Sequence, residues 1–130
     1  MIARKKIVEA IVRLEELAGE GAPVSLCITD EHGFVLGYTQ MEGASSRSFT
    51  MAQAKACTAA RMGVSTARFH ERLVREQLTL ADFREEHFTT VQGGVPVTTA
   101  DGIVIGGVAV SGRAPREDEA LAIAFASLLV

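Results

Sequence analysis

The sequence predicts one α+β domain, an antiparallel sheet with helices on both faces. Three observations point there. Apolar residues recur at helical spacing near both ends and in the middle of the chain. Two pairs of short apolar runs lie between these segments, each pair joined by a turn too short for a parallel crossover. The chain has 130 residues, 48 % of them hydrophobic, which suffices for a single core without disulfide or metal staples.

The elements follow in order. Residues 2–18 place Ile7, Val8, Ile11, Leu14, Leu17 and Ala18 on one helical face, and Gly19, Gly21 and Pro23 end that helix. "VSLCIT" (24–29) alternates Val24, Leu26 and Ile28 with Ser25, Cys27 and Thr29, as a strand does. Asp30 and Gly33 supply turn chemistry, and residues 34–41 return as a second strand. A helix rich in alanine spans 46–62, stopped by Gly63. Another follows, capped by Ser65 or Thr66, with "TLADF" as one more helical turn. "REEHFTTVQ" reads as a loop or a short strand. A hairpin comes next, with strands at 95–99 and 103–111 around Asp101-Gly102. A last helix begins near Pro115, with Glu117, Asp118 and Glu119 in its first turn, where carboxylates complement the helix dipole.

Composition excludes several function classes. The net charge is −3 and the basic residues are dispersed, so no nucleic-acid footprint exists. Aromatic residues make up 5 % and tryptophan is absent, too few for a base-stacking platform. Charges interrupt the apolar run after Arg4-Lys5-Lys6, which rules out a signal core or a membrane span there. A cytoplasmic protein is the expectation. Cys27 and Cys57 lack metal spacing and read as free buried thiols. His32, His70 and His87 form no i, i+4 pair and no cluster with cysteine, so no metal site is expected. The chain also lacks a nucleophile elbow, a P-loop and a dinucleotide fingerprint.

The segment "GGVPVTTADGIVIGGVAVSG" (93–112) holds six of the twelve glycines. Together with "EDEALA" after the proline, it resembles the GlcG/HbpS-like family, which includes the C-terminal domain of PduO-type proteins. "ITDEHGFVLGYTQMEGA" resembles that family's first hairpin, and "AQAKACTAARMGVST" its lysine-and-alanine helix. The resemblance implies a profilin-like fold with a five-stranded antiparallel sheet, and homo-oligomers of two or more subunits. It also implies haem as a cofactor or ligand for some members and small organic acids for others. A PduO-type haem ligand is a histidine on the N-terminal helix. Here no histidine precedes His32, so that ligation does not carry over.

Candidate site residues then take two readings. Gly93, Gly94, Gly106 and Gly107 would clear a hollow floored by main chain. Ser111, Gly112 and Arg113 would form its anion-binding rim at a helix N-terminus, with His87 on the wall. Alternatively, the glycines permit close helix-on-sheet packing and tight turns. Lys55 sits among Met51, Ala52, Thr58 and Ala59 on its helix. It is either solvated or buried opposite a carboxylate, with Glu42, Asp118 and Glu119 as candidate partners. Asp118 would pair with Lys55 or Arg113, or simply cap the last helix and complement its dipole. His87 or Met41 would be the haem axial ligand. The functional expectation is a small anionic ligand, with haem the one the resemblance supplies. The alternatives are proton-transfer catalysis by Lys55 and Asp118 on a small carboxylated metabolite, and a non-catalytic accessory subunit.

Overall fold

Capping and hairpin chemistry set the elements where the sequence places them. The structure, a computed structural model, describes all 130 residues. The first helical segment is broken into α1 (Arg4–Val12) and α2 (Leu14–Ala18) at Arg13, which takes φ −90° and ψ 10°. β1 (Ser25–Asp30) and β2 (Val35–Gln40) form the first hairpin. In its turn, Asp30 Oδ1 accepts from the amides of His32 and Phe34 at 2.8 and 3.0 Å. α3 (Ser46–Met62) starts on Ser45, whose Oγ accepts from the Ser48 amide, and ends on left-handed Gly63 at φ 71°. α4 (Thr66–Glu76) starts on Ser65, and a 3-10 turn follows at Leu80–Phe83. β3 (Gly94–Thr98) and β4 (Val104–Ser111) form the second hairpin, and α5 (Pro115–Leu128) closes the chain.

The sheet is antiparallel with order β2-β1-β4-β3. β1 and β4 are its centre, paired from Ser25 opposite Ser111 to Asp30 opposite Gly106. The sheet has four strands, which corrects the expected five. The candidate for a fifth strand, residues 84–92, bonds through side chains instead of a ladder. The Thr89 amide donates to Thr58 Oγ1 at 2.9 Å, Phe88 packs edge-on against Phe69, and Arg84 takes a left-handed φ of 54°. Pro96 lies in edge strand β3, where a missing N–H is tolerated.

The two faces of the sheet differ. Strand alternation sends Val24, Leu26, Ile28, Val108 and Val110 into the main core with Ile7, Leu14, Phe125 and Leu129. α1 covers β2 on that side, while α5 covers β3 and β4 and α2 packs against α5. Burying each such Val, Leu or Phe contributes about 1.5–3 kcal/mol. The opposite face is small: Cys27 and Ala109 meet Ala52 and Ala56 of α3. Small residues there bring α3 close to the sheet. Ser25 Oγ and Ser48 Oγ are 2.7 Å apart, and the Tyr38 hydroxyl donates to Ser25 at 2.9 Å. No helix is long and apolar enough to cross a membrane.

Candidate functional site

The space that the glycines clear is filled by α3 and its neighbours. A Cβ on Gly94 would stand 2.4 Å from the Lys55 carbonyl oxygen, and one on Gly107 would stand 2.3 Å from that of Ala56. Gly106 faces the Thr29 carbonyl and Ile2, and Gly112 faces the Pro23 carbonyl. Gly93, at φ 135°, faces Lys55 Nζ and Asp118. Ser111 is buried at the end of β4. Arg113 is spent on main chain: its guanidinium donates to the carbonyls of Ala18, Gly19 and Ala22 at 2.7, 3.3 and 2.8 Å. It ties the C-terminal end of α2 to the start of α5, as basic side chains do at helix ends. The geometry therefore follows the close-packing reading of these glycines.

Lys55 and Asp118 do meet. Lys55 Nζ is 3.3 Å from Asp118 Oδ2 and also donates to the Val110 carbonyl at 3.1 Å. Each residue is only 2 % exposed. Asp118 Oδ1 accepts from the Arg113 amide at 3.0 Å, so one carboxylate serves the ion pair and the start of α5 together. Burial pushes the Lys55 ammonium below its usual range, opposed by the attraction of Asp118. Burial likewise pushes the Asp118 carboxyl up, opposed by Lys55 and by the Arg113 amide. Glu119, beside Asp118, accepts instead from Gln92 at 3.0 Å. Neither Lys55 nor Asp118 lines any of the four cavities.

The largest cavity, 690 Å³, opens elsewhere, between the β1–β2 turn, α3 and the loop after the 3-10 turn. The turn contributes Glu31, His32, Gly33 and Phe34; α3 contributes Gln53, Cys57 and Arg61. The loop contributes Glu85 and His87. Both imidazoles are well exposed. Each has a carboxylate beside it: His32 Nε2 is 3.4 Å from Glu31, and His87 Nε2 is 3.7 Å from Glu86. Arg61 is salt-bridged to Glu85 and stacks over the Phe88 ring, 5.4 Å from its centroid. Burial pushes the Cys57 thiol up, and Arg61 one turn along pulls it down. Of the expected site residues, His87 alone reaches this cavity. Met41 does not; its sulfur accepts from the Val24 amide at 3.5 Å. His70 lies on α4, away from the cavity lining. Sequence reading passed over Arg61, Glu85, Gln53 and Cys57. Its one available signal was Cys57 and Arg61 at i, i+4 on a single helix face.

Comparison with known proteins decides the family. The family described as haem degrading protein HbpS-like matches residues 2–127. The chain belongs to the HbpS-like family. A double mutant of HbpS from Streptomyces reticuli superposes with a TM-score of 0.86 at 29 % identity, covering 99 % of this chain and 87 % of that one. PduOC, solved as a haem complex, superposes with a TM-score of 0.76 at 27 % identity, covering 95 % and 89 %. The Klebsiella pneumoniae protein ORFY shares the fold, with a TM-score of 0.77 at 22 % identity over 96 % and 86 %. No curated protein matches the chain. The HbpS-like assignment covers both hairpins and both flanking helical layers.

Proposed function

We propose that this HbpS-like chain binds haem, an anion through its propionates, in the 690 Å³ cavity, where His87 would hold the iron. One observation carries this reading: two exposed imidazoles, His32 and His87, converge from separate elements on one cavity that also holds an arginine. The volume falls within the range of about 300–1,000 Å³ usual for small-molecule sites. The donor set suits the group. Neutral imidazole nitrogens ligate haem iron, and guanidinium pairs with carboxylates. Phe34, 71 % exposed, offers a ring to pack against the macrocycle. Haem would supply a redox-active iron. The chain's own residues would orient it: His87 from the loop, His32 from the opposite wall, and Arg61 toward a carboxylate.

On this reading Lys55 and Asp118 act as the clasp between α3 and α5, and the glycines Gly93, Gly94 and Gly112 with Ser111 and Arg113 serve packing. The seal over the pair supports that assignment.

Haemin titration followed in the Soret region tests the proposal. The expected result is a saturable band at one haem per chain, lost or displaced in His87→Ala. His87 is exposed, so the substitution leaves the fold intact. An identical band in His87→Ala and His32→Ala would move the ligand out of this cavity. No band in the unaltered protein would remove haem altogether.

A further inference from the structure

Arg61 is the one lysine or arginine on the wall of the large cavity, and its guanidinium is already occupied by Glu85. The two come from elements 24 residues apart: the last turn of α3 and the loop after the 3-10 turn. Phe88 holds the guanidinium from its ring side at 5.4 Å. The loop is pinned just beyond by the Thr89–Thr58 hydrogen bond. Its two histidines aside, the cavity carries one positive and two negative side chains, Arg61 against Glu31 and Glu85. An anion entering such a wall is repelled unless one carboxylate leaves. Glu85 is able to leave: the pair is partly exposed, 43 % for Arg61 and 21 % for Glu85, so water can take over the released carboxylate. Glu31 has no such exchange, because it stands beside His32 and not beside the arginine.

We infer that Arg61 is the anion-recognising residue of this cavity and that Glu85 is its resident competitor, displaced by a carboxylate of the incoming ligand. This rests on the proposed reading that the cavity holds a ligand. It adds the chemical class: a ligand that brings at least one carboxylate on a flat body able to lie along Phe34. The competition acts as a filter. Neutral molecules gain nothing at Arg61, while carboxylates exchange one ion pair for another.

The test compares haemin with haemin dimethyl ester, which has the same ring and no free carboxylate. Glu85→Gln should tighten haemin roughly two- to fivefold, the range of an exposed ion pair, and leave the ester unchanged. Arg61→Gln should weaken haemin and also leave the ester unchanged. Equal responses of acid and ester, or weaker haemin binding in Glu85→Gln, would overturn the inference. A second probe separates this failure from failure of the haem reading. If the unaltered protein binds no haemin, isophthalate is titrated against amide NMR signals of Gly33 and Cys57. Tighter isophthalate binding in Glu85→Gln than in the unaltered protein then upholds the inference. No shift in either protein overturns it.

Discussion

Cys27 is fully enclosed between β1 and α3, and burial, reinforced by nearby Cys57, pushes its thiol up to about 12. An unfolded chain releases that proton near 9.0. Between these values the folded protein holds a proton that the unfolded one has lost, so stability is full below pH 9 and falls as pH rises toward 12. The slope reaches at most about 1.4 kcal/mol per pH unit. Lys55 works in the opposite sense, since its lowered value makes stability rise with pH below 10.5. Cys27→Ala removes the thiol's effect and keeps that of Lys55. Urea denaturation from pH 8 to 11 should therefore show a shallower alkaline loss in Cys27→Ala than in the unaltered protein; parallel curves would contradict it. At this scale sequence reading reached some contacts and missed others. The Lys55–Asp118 pair was legible only in part: a lysine amid small apolar helix residues needs a carboxylate if buried, but Glu42, Asp118 and Glu119 were all on offer and nothing local chose among them. The Arg61–Glu85 pair was not legible, because one partner sits in a segment without periodicity.

Among the elements, the contact between α3 and β4 is the most constrained. The Ala56 carbonyl stands where a side chain on Gly107 would begin, only 2.3 Å away. Main chain cannot swing aside as a long side chain can. Gly107→Ala should cost about 1–3 kcal/mol or more, read as a lower urea midpoint with unchanged slope. Gly102→Ala meets nothing within 4 Å but sits at φ 85°, so its cost comes from backbone strain alone and provides the comparison. A Gly107→Ala protein as stable as its parent would show that α3 has more room than described. Elements with strong punctuation were legible: Gly63 at the end of α3, Asp30 and Gly33 in the first turn, Pro115 at the start of α5. The break at Arg13 was hidden within an unbroken helical pattern; it lets α2 pack against α5. The absent fifth strand was invisible for a related reason. Its segment satisfies its main chain with Thr58 and stacked rings, contacts set by the tertiary fold and not by local period.

Across the whole molecule, order should fall from the centre of the sheet outward. β1 and β4 are bonded on both sides and enclosed on both faces, whereas β2 is an edge with Val35 and Leu36 exposed. Residues 77–92 hold few buried side chains. Hydrogen exchange should be slowest at Leu26, Ile28, Val108 and Val110, intermediate in β2 and fastest across 77–92. Equal protection of β2 and β4 would contradict this ranking. The largest cavity thus lies beside the fastest-exchanging segment, with α3 as one wall and that loop as another.

The glycine-to-carbonyl approach beneath α3 also bears on how such a chain can diverge. Position 107 cannot acquire any side chain until the helix above it has lifted. The helix in turn cannot lift while Ala52 and Ala56 are too short to hold it at a greater height. Single steps at either place are losses, and only paired changes are neutral. Drift along this seam should therefore proceed by linked exchanges, and transplanting one of its residues into a distant relative should fail more often than transplanting the helix and strand together.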